Sequence, residues 1–411
     1  MRVITQDNAG LSIFVAFLLI PLSGLATDIY LPSLPAMSTA MGTSPAQIQF
    51  SLTIFLVGYA IGQLFIGNIM DCFGRYRLGL FALFLFGASC IGIIFCHSIL
   101  ILNTLRLVQG LLAAVAVVAK RTYFVDVFSG DRLEHYLSSF TIVWSMGPIV
   151  APFIGGYLQN SFGWQANFIF LAGFAWIALL LELWVSGETL KHPQAFEPRN
   201  TLRQYREMLS HGPFIRGLVN LSLPYSAIMA YSMAAPFIIE HVYHMDSKTT
   251  GYASLAMGLA WMVGGFVAKS QHHRTTSYKH GKAVQVMFAM VLIMLSTSFY
   301  ISNIYTLVLF AFVIHATCGM LFNIYFTECL SMFPRQAGLS GGLTGGVAFM
   351  LTSILSYGAI TVFSVNIQLR LAVVYLVFAG LSALMLRWKT VYRCDVDVAR
   401  NEVNRVSVEL S

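Results

Sequence analysis

Asp28 is the only acid in the apolar run from residue 11 to residue 31, and Ile29, Tyr30 and Leu31 follow it directly. A carboxyl among apolar neighbours is a group that can bind and release a proton. Arg106 interrupts a second apolar run, from 99 to 121, with Gln109 and Gly110 one turn further on. A third constellation reads Gly67-Asn-Ile-Met-Asp71-Cys-Phe-Gly74-Arg75-Tyr-Arg77. Its glycines permit a tight turn, and Asp71 is spaced to pair with Arg75, Arg77 or a neighbouring helix N-terminus. A fourth is Gly147-Pro148-Ile-Val-Ala151-Pro152-Phe-Ile-Gly155-Gly156. Two prolines one turn apart bend a helix, while small residues four apart share a face on which another backbone can approach.

The elements that position these groups are set by composition. Of the 411 residues 57% are hydrophobic and 10% charged, whereas soluble chains carry about a quarter charged residues. A soluble enzyme, a disordered chain and a secreted disulfide scaffold are all excluded. A crossing of the ~30 Å hydrocarbon layer takes roughly 20 apolar residues. Runs of that length fall at about 11–31, 47–69, 77–97, 99–121, 137–158, 164–186, 214–238, 250–270, 283–302, 305–327, 338–362 and 368–388. The expected fold is therefore an all-α integral membrane protein with twelve transmembrane helices. The first run imitates a signal peptide, but eleven more spans favour a retained helix.

With the N-terminus inside, 21 of the 24 Lys and Arg residues fall on the inner side, leaving Arg106, Lys248 and Arg370. Both termini are then cytoplasmic. The net charge of +7 therefore reads as orientation signals and not as a nucleic-acid surface. A polar stretch from Gly187 to about Gly212, with Glu188, Lys191, Pro193, Glu197, Pro198, Arg199, Arg203 and Arg206, separates two groups of six runs. The expected organisation is a six-helix bundle over 1–186, a cytoplasmic linker over 187–212, a second bundle over 213–390 and a cytoplasmic tail over 391–411. Equal halves of this kind are found in major facilitator transporters.

An arginine at depth costs at least ~2.5 kcal/mol unless paired or hydrated, so Arg106 should face the interior, with snorkelling to the interface as the alternative. At 1.5 Å rise per residue, Asp28 lies about 4 to 5 Å from the outer end of its helix and Arg106 roughly 10 Å from the end of its own. The two can meet, as a contact broken by substrate or proton, as a permanent ion pair, or not at all if Asp28 is interfacial. Lys120, Arg121 and Glu328 fall near the inner boundary and Glu240 near the outer one. Lys120 and Arg121 read as orientation residues or as a preference for an anionic or zwitterionic substrate. Tyr30, Gln109, Trp144, Tyr225, Tyr231, Trp261, Asn323 and Tyr325 are candidate cavity residues, and aromatic faces among them suit lipophilic cations.

Several of these strings resemble known ones. The Gly67 to Arg77 string resembles the loop signature of the major facilitator superfamily, in which an Asp-centred cluster latches the inward face; Cys72 and Tyr76 replace two of its usual residues. The Arg106 and Gly147 to Gly156 segments resemble the fourth- and fifth-helix signatures of the superfamily's drug:proton antiporters, with Ala151 in place of a glycine. Ala26-Thr27-Asp28-Ile29-Tyr30-Leu31-Pro32-Ser33-Leu34-Pro35 resembles the first helix of the bicyclomycin/chloramphenicol-resistance (Bcr/CflA) branch, as do Glu188-Thr189-Leu190 and Ala235-Pro236-Phe237.

The resemblance implies a multi-pass protein of the bacterial inner membrane. It would export a small molecule against incoming protons, with Asp28 and Arg106 coupling the two. A natural metabolite is the alternative cargo to a drug. No cofactor, metal or nucleic acid is expected, and a monomer is. The six cysteines lie singly, no nucleotide-binding lysine loop occurs, and neither GxSxG nor HExxH is present. A membrane-embedded enzyme or sensor is thus disfavoured.

Overall fold

The computed structural model describes residues 10–190 and 197–387. Arg2, Lys191, Pro193, Lys389, Arg393, Cys394, Arg400, Arg405 and the expected tail 391–411 lie outside the described residues.

Prolines break the first crossing into pieces. It comprises α1 (Gly10–Leu19), α2 (Leu22–Asp28), a 3-10 turn (Leu31–Ser33) and α3 (Leu34–Ala40). Pro21 precedes α2, and Pro32 and Pro35 stand at the first turns of the last two pieces. Each proline removes a backbone donor, so the chain re-starts its helix at these points. Asp28 consequently ends α2 next to irregular backbone instead of lying inside a continuous helix.

Then come α4 (Pro45–Phe73), α5 (Arg75–Ile94), α6 (Ile99–Val127), α7 (Gly130–Phe162) and α8 (Gln165–Val185). After the linker follow α10 (Gly212–Phe237), α11 (Ser247–Ser270), α12 (Thr276–Thr297), α13 (Ile304–Met332), α14 (Ala337–Val362) and α15 (Gln368–Arg387). Their starts are capped in sequence-readable ways. Ser44 and Gln47 form a reciprocal capping box, Asn303 and Thr306 another, and Asp246 accepts from the Thr249 N–H at 2.9 Å.

Among the described residues, eleven helical stretches are long and apolar enough to cross a membrane. The expected span at 137–158 coincides with α7, which is not one of the eleven. It is 33 residues long, opens with Asp131, Arg132 and Glu134, and carries Pro148 and Pro152 inside. The expected linker is also more than a linker. It contains α9 (Pro198–Ser210), whose Tyr205 hydroxyl donates to the Leu64 carbonyl at 2.8 Å and whose Thr201 Oγ1 accepts from Asn68 at 2.5 Å. Burial pushes the Tyr205 phenol up to about 12, so it remains a donor.

Small residues decide how the helices meet. Gly58 and Gly62 of α4 face Leu107, Leu111 and Ala114 of α6, while Gly342 and Gly346 of α14 face Gln63, Leu64 and Ala60 on α4. Gly258 of α11 lies on Ile149 of α7, and Gly264 lies on Ala316 of α13. The seam between the N-terminal helices (α1 to α8) and the C-terminal ones (α10 to α15) is thus carried mainly by α4 against α14 and α7 against α11.

Candidate functional site

Arg106 is fully buried. Its guanidinium donates to Gln109 Oε1 at 2.8 Å and to the Ala26 carbonyl at 3.1 Å. The carbon of the guanidinium lies 4.3 Å from the ring centres of both Tyr30 and Phe55. The broken first crossing makes this possible: a carbonyl near the end of α2 turns toward α6, and Tyr30 follows in the irregular stretch. Two aromatic faces and two oxygens replace the water a buried guanidinium would otherwise need. Snorkelling is therefore not how Arg106 is accommodated.

Asp28 is 4% exposed and has neither a hydrogen-bond nor an ion-pair partner among the described residues. It shares a site with Arg106 through Ala26, two residues away, but the two side chains make no ion pair. Across the seam, Tyr225 of α10 lies within electrostatic reach of Asp28. Tyr225 belongs to an aromatic group with Trp261 at 5.9 Å, Phe322 at 5.4 Å and Phe349 at 5.6 Å between ring centres. Phe349 in turn meets Tyr59 of α4 edge-on at 5.0 Å.

The proline-containing segment of α7 ties this site to the other set of helices. Gly147 and Gly155 lie against the Pro21 and Ile29 carbonyls, on either side of Asp28 in the chain, and Pro148 packs on Gly24. On its other side the same segment meets α11: a Cβ on Gly156 would lie 2.5 Å from the Ser247 carbonyl, and Ser247 Oγ donates to the Gly156 carbonyl at 3.2 Å. Ala151 is fully buried, and a Cβ on Gly251 would be 3.0 Å from the Pro152 carbonyl. α7 thus lies between α11 and the backbone that carries Asp28.

The expected cavity residues divide. Tyr225 is at the seam, and Trp144 donates to Ser23 Oγ at 3.3 Å beside the first crossing. Asn323 donates to the Gly319 carbonyl at 2.8 Å and lies near Gly265. Four others are occupied elsewhere. Tyr30, fully buried, caps Arg106 and shares a hydrogen bond with Ser51 at 3.1 Å. Gln109, also fully buried, accepts from Arg106 and donates to Cys90 Sγ at 3.2 Å. Tyr231 packs on His315 at 5.0 Å inside the C-terminal helices, and Tyr325 hydrogen-bonds His280 Nδ1. Because His280 Nε2 donates to the Ser382 carbonyl, the Tyr325 hydroxyl is the donor in that pair.

At the turn between α4 and α5, Arg75 pairs with Asp71 at 2.8 Å and with Asp126 of α6, and Thr189 donates to Asp126 at 2.9 Å. Gly74 has φ +92° and leaves room for the Glu188 carboxylate, which accepts from the Arg75 and Tyr76 N–H groups at 3.1 and 3.3 Å. This is a carboxylate at a helix N-terminus, where the dipole favours it. Gly67 has open space around it, and Arg77 is exposed. Sequence reasoning did not single out Asp126 or Glu182. Glu182 pairs with Lys120 at 2.5 Å, and the available signal was one acid alone in an apolar run and a Lys-Arg pair at the end of another.

Residues 16–357 match the Major Facilitator Superfamily. The chain belongs to that superfamily. It is 25% identical to the "Bicyclomycin resistance protein homolog" of Haemophilus influenzae, over 85% of this chain and 89% of that protein. It is 24% identical to "Multidrug resistance protein D" of Escherichia coli (strain K12), over 85% and 88%. The fold is similar to the crystal structure of a D-xylose-proton symporter, with a TM-score of 0.74 over 92% of this chain and 97% of the symporter, at 14% identity. The protein is a multi-pass secondary transporter of the superfamily and not an enzyme. The family read from the motifs is borne out.

Proposed function

We propose that the protein exports small molecules in exchange for incoming protons, by alternating access between two six-helix halves, 1–186 and 213–390. The observation that carries this reading is Asp28: a buried carboxyl with no partner among the described residues, beside a fully buried Arg106 and just before the turn that packs on α10 and α11. A carboxyl so placed responds to whatever arrives at the seam, because its protonation depends on the charge and water around it. The α7 segment supplies the mechanical link, since the backbone flanking Asp28 rides on α7 and α7 rides on α11. Rocking of the halves then changes the surroundings of Asp28, and its proton in turn biases the halves.

Arg106 keeps the broken first crossing seated on α6. The Arg75, Asp126 and Glu188 cluster holds the α4–α5 turn as one unit during rocking. We place both termini on the cytoplasmic side of a bacterial inner membrane, count α7 as the twelfth crossing, and take the unit as a monomer. The resistance names of the relatives support outward transport of toxic compounds. A natural metabolite, such as a siderophore, peptide or amino-acid derivative, is the alternative cargo. The driving force is adequate: one proton yields about 2.3 kcal/mol per 100 mV and about 1.4 kcal/mol per pH unit.

The test is reconstitution into sealed vesicles carrying an imposed pH gradient, with cargo candidates taken from compounds that accumulate in cells lacking the protein. Uphill cargo movement that collapses with the gradient is expected. Cargo movement indifferent to the gradient would refute proton coupling.

A further inference from the structure

The buried cations of the N-terminal helices are nearly all accounted for. Lys120 is paired with Glu182, Arg75 with Asp71 and Asp126, and Arg106 is enclosed by Gln109, the Ala26 carbonyl and two rings. Arg121 is the exception. It follows Lys120 on α6 and is half-buried, with no carboxylate and no hydrogen-bond acceptor among the described residues. Its guanidinium crosses the seam and lies on Gly341 of α14: a Cβ there would be 2.8 Å from both terminal nitrogens. Gly341 thus leaves the space that the guanidinium uses. Tyr59, within electrostatic reach of Arg121, begins the aromatic series that continues through Phe349 to Tyr225, Trp261 and Phe322.

A half-buried arginine with no counter-charge repels a cationic ligand and offers a fork of donors to an anion. The adjoining rings offer an apolar body somewhere to lie. We propose that Arg121 is a specificity-determining residue that recognises an anionic group, typically a carboxylate, on an aromatic cargo. This rests on the reading of the chain as an exporter and names the class of its cargo. Lys120 has no such role, because Glu182 already neutralises it. The ligand's carboxylate would lie on Arg121 at the α6–α14 seam with its rings toward Tyr59 and Phe349, leaving Asp28, further along the seam, free for protons.

The experiment is binding, not transport, so it is independent of proton coupling. Full-length protein in lipid nanodiscs is titrated with three probes sharing one aromatic body: 4-biphenylcarboxylate, 4-biphenylcarboxamide and 4-biphenylmethylammonium. Wild type should bind the carboxylate at least tenfold more tightly than the other two. Arg121→Gln should erase that preference while retaining carboxamide binding, and Arg121→Lys, which keeps the charge without the fork, should retain part of it. Equal binding of the three probes to wild type, binding of none, or an undiminished preference in Arg121→Gln would each overturn the assignment. If the preference holds but vesicles show no gradient-driven movement of the carboxylate, proton-coupled export fails and the recognition role of Arg121 stands.

Discussion

In α6 the deeply buried polar group is a guanidinium enclosed by Tyr30, Phe55, Gln109 and a carbonyl; in α13 it is the imidazole of His315, donating to the Ala311 carbonyl at 2.8 Å and packed on Tyr231. The contrast extends through both sets of helices. Among the described residues, every ion pair outside α9 lies in the N-terminal set, including Lys120–Glu182 and the Arg75 cluster. The C-terminal set contributes hydrogen-bonded and aromatic groups: the His280–Tyr325 pair, and the Tyr225, Trp261 and Phe322 rings at the seam. Formal charge in a membrane interior is expensive and is retained where it does something, whereas aromatic surface is cheap to bury. Under the proposed function, proton handling falls to the N-terminal helices and much of the cargo-facing surface to the C-terminal ones.

Substitutions can break this division or sharpen it. The largest effect is expected from Asp28→Asn, which keeps shape and cannot titrate: gradient-driven transport should vanish in vesicles while insertion and thermal stability stay near wild type. Next is Glu182→Gln, which leaves Lys120 buried without its partner. Removing one member of a buried pair costs about 3–5 kcal/mol. The melting temperature in detergent should fall sharply, and the double variant Lys120→Met with Glu182→Leu should recover most of it. If the double variant melts as low as the single one, the pair matters for more than charge balance.

Arg106→Lys should be milder, losing the flat stacking on Tyr30 and Phe55, worth about 2 kcal/mol when desolvated, and damaging coupling more than abundance. In the C-terminal set, Tyr225→Phe should leave transport close to wild type and Tyr225→Ala should weaken aromatic ligands several-fold, since the ring is what counts. Smallest is Asp246→Ala at the start of α11, with a loss of about 1 kcal/mol. The Thr249 N–H holds the Asp246 carboxyl below the usual carboxylate range. Its stabilising share is therefore full above that range and is lost as pH falls through the lowered value. Asp246→Asn should keep the cap and remove the pH dependence, measured as melting temperature against pH.

Much of the architecture was legible because hydropathy is a strong signal. The run expected at 305–327 appears as α13, Ile304–Met332, and that at 250–270 as α11, Ser247–Ser270. Periodicity was silent where polar residues extend a helix, as at the start of α7, and where an amphipathic helix lies in a charged stretch, as in α9. Within the site, Asp28 and Arg106 stood out because a charge in an apolar run is rare. Their relationship was not readable, because the Ala26 carbonyl that Arg106 uses is available only where α2 ends at Asp28, and that end depends on the fold. The histidine partners of Tyr231 and Tyr325 were not readable for a similar reason. A tyrosine in a helix looks the same whether it faces a seam or a buried histidine. Asp126, Glu182 and their partners are far apart in sequence, and only the packing of both α6 and α8 on α5 brings them together.

Proton release measures the claim about Asp28 most directly. Detergent-solubilised protein in weakly buffered solution is mixed with a transported cargo, and the change in free proton concentration is recorded. Wild type should release protons in proportion to bound cargo, and Asp28→Asn should bind cargo and release none. Equal release from both proteins would contradict the account.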